Sequence, residues 1–182
     1  VAAKLLDSIA ADKVPTCSGS TTTADLEGGA DGHFFRTAPG DDLQGPALAT
    51  LITGDGHSKV AILARNDDYG KGFSEFLGTA LEDSGAQVTE TVLYNPDASN
   101  FAADVQKALD SNPDSVVVLG FNDDGAKVVS TMIGKGAGPA DMPTYTADGM
   151  QGSKFGATVD PSDPSKVAGI KGNHSRWHSG DF

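Results

Sequence analysis

The strongest constraint on the fold is a recurrence. Apolar, strand-like runs begin near Lys59, Gln87, Ser115 and Pro143, each 28 residues after the one before. An interval of that length holds one helix and two loops, which is what a crossover between parallel strands requires. The unit over residues 60–81, VAILARNDDYGKGFSEFLGTAL, shows the pattern most clearly. Val60–Ala64 is a short apolar run, and Asn66–Gly70 is a polar turn. Phe73, Phe76, Leu77, Ala80 and Leu81 then fall three and four apart, on one face of a helix. The chain is therefore α/β, a mainly parallel sheet with helices on both faces, in three layers. The β-branched run Ser115–Gly120 reads as the centre of the sheet.

Outside the regular units the pattern is looser. Residues 2–11 read as a helix, Lys13–Cys17 as a short strand and His33–Thr37 as another. Between them, Ser18-Gly19-Ser20-Thr21-Thr22-Thr23 is a loop rich in hydroxyls, followed by a helical turn near Ala24–Glu27. Asp41 or Asp42 is expected to cap a helix bearing Leu43, Ala47, Leu51 and Ile52, with Pro46 in its first turn. Ser99 or Asn100 is expected to cap the helix of Phe101, Val105, Ala108 and Leu109, and Gly134 and Gly136 to end the helix of Ala126–Ile133. Beyond Gln151 the period weakens, with one further strand expected within Val167–Gly172 and an irregular tail over 173–182.

Charge and composition remove several classes of function. A formal net charge of −12 argues against nucleic-acid and anionic-membrane partners, which need basic patches. No apolar run approaches the roughly 20 residues of a transmembrane helix. The single cysteine, Cys17, cannot form an intrachain disulfide, and its setting suits a buried strand thiol better than a nucleophile. The chain opens on helical pattern without a signal sequence or methionine, and reads as an internal piece of a longer protein.

In an open parallel sheet, ligands bind beyond the carboxyl ends of the strands. That rule selects four loops: Asn66–Gly70, Tyr94–Ala98, Phe121–Asp124 and Asp148–Gly149. Their acids have an ordinary use, because Asp and Asn at helix starts satisfy free N–H groups. Asp67, Asp68, Asp123 and Asp124 fit that use or simple solvation. Asp148 ends a strand before a glycine with no helix to cap at once, which leaves contact with a ligand open. The hydroxyl loop likewise reads either as a turn with a capping Ser or Thr or as a set of donors for an anionic group. No phosphate-binding glycine loop or nucleophile elbow is present, and Gly120-Phe121 stands where a phosphoryl-accepting domain places an Asp. His174 and His178 are spaced i, i+4 but lie in the patternless tail. No enzyme, metal or cofactor is expected.

Four stretches together point to a family. CSGSTTTADL (Cys17–Leu26), FRTAP (Phe35–Pro39), DLQGPA (Asp42–Ala47) and DYGKG (Asp68–Gly72) resemble, in register, the type I periplasmic solute-binding proteins of branched-chain amino-acid ABC transporters. The likeness runs over about residues 1–168. It implies a fragment of a two-lobed clamp that closes on its ligand. Residues 1–37 would be the C-terminal part of the N-lobe and 38–172 the C-lobe, with a hinge near 37–40. It further implies that Ser20, Thr21 and Thr22 hold the ligand carboxylate, that Tyr69 and Phe121 line the cleft, and that Asp148 pairs with the α-ammonium. Phe121 stands where the family often has tyrosine, and Asp148 where it often has glutamate. The implied partners are an amino acid or related small polar solute and a membrane permease, outside the cytoplasm. An isolated half-clamp is also expected to self-associate. Two other readings stay open: a sensor domain with the same fold, and a metal-dependent α/β enzyme that uses the acidic loops.

Overall fold

The computed structural model describes residues 2–26 and 28–173. Residues 174–182, most of the expected tail, and Glu27 of the expected turn lie outside them. The chain begins with a 3-10 turn, Ala2–Leu5, that runs into α1 (Leu6–Asp12). Lys13 ends α1 with a left-handed backbone (φ 51°), so the strand expected from Lys13 starts later, as β1 (Thr16–Ser18). β2 (Phe34–Arg36) pairs with β1 in parallel, and these two form a small sheet of their own. Cys17 is exposed there, contrary to expectation. With three-residue strands on each side, the pair offers that side chain no cover.

α2 (Asp41–Gly54) then leads into the main sheet. Its N-cap is Gly40, and neither Asp41 nor Asp42 caps it through a side chain; both sit in the first turn. Pro46 lies one turn further in than expected, where it has no N–H to return to the helix. The regular units follow as β3 (Lys59–Arg65), α3 (Asp68–Asp83), β4 (Gln87–Tyr94), α4 (Ala102–Asp110), β5 (Ser115–Leu119) and α5 (Asn122–Gly134). β6 (Thr144–Thr146), a short α6 (Phe155–Val159) and β7 (Lys171–Gly172) complete the described chain. α6 carries no sequence period because it is only five residues long.

The main sheet has the order β4-β3-β5-β6-β7, with every pair parallel, so β5 is central as its composition predicts. All five residues of β5 are buried, because helices cover both faces. One face packs Val116, Val118 and Leu63 against α4 and α5. The other packs Ile62, Val117 and Leu119 against Leu48 and Ile52 of α2 and Phe73 and Leu77 of α3. The alternation follows from the two-residue period of a strand.

The turn between β3 and α3 depends on two local devices. Asp67 is the N-cap, its carboxylate accepting from the Gly70 N–H at 3.0 Å. Gly70 itself lies so close to the end of β3 that a Cβ there would sit 2.1 Å from the Arg65 carbonyl oxygen. Only glycine lets α3 start this near its strand.

Candidate functional site

A cavity of about 570 Å³ opens beyond the carboxyl ends of β3, β5 and β6, facing the hydroxyl loop that follows β1. Ser20, Thr21, Thr22 and Thr23 form one wall, with Leu26 behind them. Arg65, Asp67, Asp68, Tyr69, Phe121, Asp148 and Gly149 form the other. Thus all six residues singled out from the sequence (Ser20, Thr21, Thr22, Tyr69, Phe121 and Asp148) line one space. The loop Tyr94–Ala98 does not reach it. β4 is an edge strand, and Tyr94 is fully buried in the core.

The hydroxyl loop is held from within and from behind. The Ser18 Oγ accepts the Thr21 N–H at 3.1 Å and meets the Thr21 hydroxyl at 2.7 Å. The Arg36 guanidinium donates to the carbonyls of Thr22 (3.1 Å) and Thr23 (2.9 Å), and the Asp41 N–H donates to Thr22 O at 2.8 Å. Carbonyl oxygens are thereby used on the rear side. Thr22 is buried, while Ser20 is exposed toward the opening.

The opposite wall is an aromatic stack on an ionic base. The Phe121 ring stacks with Tyr69, at 5.2 Å with a 20° interplanar angle, and carries the Arg65 guanidinium over it, 4.1 Å from the ring centroid. Arg65 also donates from Nε to Asp67 at 2.8 Å and from Nη1 to Asp124. Burial, the largest single influence, works against the charged guanidinium, yet Asp67 and Asp124 hold its pKa above the ordinary value. Asp124 accepts in addition from the Tyr94 hydroxyl at 2.6 Å. It also reaches back to the Phe121 N–H at the start of α5. Its sequence reading as a cap or a solvated acid therefore describes the smaller part of its role, since it is only 5% exposed.

Asp148 sits in a 3-10 turn after β6 (Asp148–Met150). Its carboxylate accepts from the Tyr69 hydroxyl and from Gln44 Nε2, each at 3.3 Å. Gln44 also donates to the Pro39 carbonyl, which ties the start of α2 to the cavity. Burial first, then the charges of Asp148 and Asp41, raise the Tyr69 pKa well above its ordinary value, so Tyr69 remains a neutral donor. Gly149 carries no side chain because a Cβ would meet Gly120 O at 2.4 Å and the Phe121 ring at 2.9 Å. Sequence reasoning missed Arg65, Gln44 and Asp41. The one available signal was Arg65, a charge that closes an otherwise apolar strand. Among the described residues no three His, Cys, Asp or Glu are grouped to hold a metal ion, and no helix is long and apolar enough to cross a membrane.

The family model described as periplasmic binding protein matches residues 1–161. No curated protein matches the chain by sequence. Among solved structures, the chain is similar to the branched-chain amino-acid transporter substrate-binding protein LivJ of Streptococcus pneumoniae in complex with isoleucine. The TM-score is 0.78 at 23% identity, over 93% of this chain and 46% of that one. It is also similar to the leucine-binding protein LivK of Thermotoga maritima, with a TM-score of 0.77 at 21% identity over 85% and 43%. A third is an ABC-transporter solute-binding protein of Rhodopseudomonas palustris in complex with 4-hydroxybenzoate, with a TM-score of 0.71 at 19% identity over 91% and 42%. The chain spans less than half the length of each of these structures. At such identities the likeness shows the fold.

Proposed function

The chain belongs to the periplasmic binding protein family, and we propose that it serves as the substrate-binding component of an ABC transporter. It works outside the cytoplasm and delivers a small solute to a membrane permease. Residues 1–37 belong to one lobe and 38–172 to the other, with the hinge near 37–40. The ligand is an amino acid of branched-chain type or a related small polar solute.

One observation carries this reading: the two walls of the cavity match the two ends of an α-amino acid. Ser20, Thr21 and Thr22 line the hydroxyl-rich wall that would receive a carboxylate, and Asp148 offers an anion to an ammonium group. Charge-assisted hydrogen bonds at both ends supply strength and orientation. Tyr69 and Phe121 flank the space between them. A second reading is an aromatic acid. It is favoured by the 43% exposed Phe121 side chain, which adds apolar surface to the cavity wall, and by the hydroxybenzoate held by the R. palustris protein.

Thermal unfolding in the presence of each of the twenty amino acids and of 4-hydroxybenzoate tests the proposal. A ligand at a hundredfold excess over its Kd stabilises by about 2.7 kcal/mol, a clear rise in Tm. The expected result is a rise with an aliphatic amino acid that disappears in Asp148→Ala. A rise with hydroxybenzoate alone moves the assignment to the second reading, and no rise with any probe removes both.

A further inference from the structure

Behind the cavity lies an acid that the amino-acid reading does not use. Asp41, the first residue of α2, is fully buried, and neither carboxylate oxygen has a well-aligned hydrogen-bond donor. Such a group is costly to keep ionised, and a native protein retains one for a reason. Its surroundings come from every side of the site. The Thr22 hydroxyl and the Arg36 guanidinium favour its charge from the loop and from β2, while Asp148 from the 3-10 turn and Asp42 from its own helix oppose it. Tyr69 of α3, whose hydroxyl donates to Asp148, also feels the Asp41 charge. Gln44, one turn along α2, bonds Asp148 directly, and its own Oε1 is buried without a partner. Asp41 and Asp148 thus form the inner and outer members of one acidic pair: Gln44, one turn from Asp41 on α2, holds Asp148, and Tyr69, which also donates to Asp148, feels the charge of both.

We propose that Asp41 is a proton-exchanging carboxyl coupled to Asp148, so that capture of a cationic group at Asp148 releases a proton from Asp41. The O–H bond of the Asp41 carboxyl breaks, the electron pair stays on the carboxylate, and the proton passes to solvent. No other bond changes. Burial raises the Asp41 pKa from 3.8 to about 6, which places the exchange in a range that an extracytoplasmic compartment can cross. A cation beside Asp148 cancels the charge that helps to keep Asp41 protonated. By linkage, affinity for such a group then rises with pH up to and through about 6, by at most tenfold per pH unit for one proton. The ligand half of this inference rests on the amino-acid reading; the coupling between the two acids does not.

Carboxyl-carbon NMR of the full chain tests the coupling without a ligand. The expected result is a carboxyl that titrates near pH 6, vanishes in Asp41→Asn and moves to lower pH in Asp148→Asn. A midpoint near the ordinary 4, or one that Asp148→Asn leaves in place, overturns the proposal. Calorimetry of L-leucine binding at pH 6, in buffers of different ionisation heat, reads the released proton. Release in the wild type and none in Asp41→Asn is expected. Binding heat that is independent of buffer overturns the proposal. Absence of leucine binding removes the amino-acid reading instead, and the NMR titration still decides the coupling.

Discussion

Asp124 and Asp41 are both acids in the first turn of a helix, 5% and 0% exposed, and the chain provides for them very differently. Asp124 receives the Arg65 guanidinium, the Tyr94 hydroxyl and the Phe121 N–H. Asp41 has no such set, only the Thr22 hydroxyl, poorly aligned, and the charge of Arg36. The first is a finished network between strands and a helix of one sheet. The second lies where α2 meets the segment before it, beside the cavity. A filled set of partners fixes a geometry, whereas an unfilled set leaves a group whose charge responds to its neighbours.

The contrast breaks most visibly at Asp124. Asp124→Ala takes from a partly buried guanidinium one of its two carboxylates, leaving only Asp67, and is expected to destabilise the fold by about 3 kcal/mol in chemical denaturation. Asp41→Asn is expected to do the reverse at neutral pH. Because burial raises the Asp41 pKa to about 6, the native state favours the protonated form. Its contribution is therefore fully present below about pH 4 and is lost as pH rises through about 6. The variant, locked neutral, should gain up to about 3 kcal/mol over wild type at pH 7, with the gap closing toward pH 4, in denaturation at a series of pH values. A variant that is less stable than wild type at pH 7 shows that Asp41 has partners after all. The smallest change is Tyr94→Phe, which removes one donor to Asp124 and should cost about 1.5–3 kcal/mol with no new pH dependence.

The sheet was legible because its four starts recur at a fixed spacing and each helix shows one apolar face. Tyr69, Phe121 and Asp148 were legible because strand ends collect in space whatever the chain between them does, whereas Ser20, Thr21 and Thr22 were reached through the family resemblance. What was hidden shares a different property. Gln44 and Asp148 lie 104 residues apart, and Arg65 and Asp124 lie 59 apart. Each member looks locally like an ordinary helix-start or strand-end residue. Pairing across such distances is decided by packing, on which periodicity is silent. The same holds for Asp41, whose sequence position suggested a cap and whose backbone lies one residue too far into α2 to be one. Cys17 failed for the opposite reason: a covered strand was foreseen, and the strand is there without its cover.

The stacking of Phe121 with Tyr69 and Arg65 has a consequence for recognition. With a ring and a guanidinium both packed on it, Phe121 has little rotational freedom to lose, and Arg65 is already fixed by Asp67 and Asp124. Immobilising a flexible side chain on association costs about 0.5–1.5 kcal/mol. A wall with these two side chains set in advance spares a bound solute about 1–3 kcal/mol of ordering, so a small molecule with few atoms to contribute can still be held firmly.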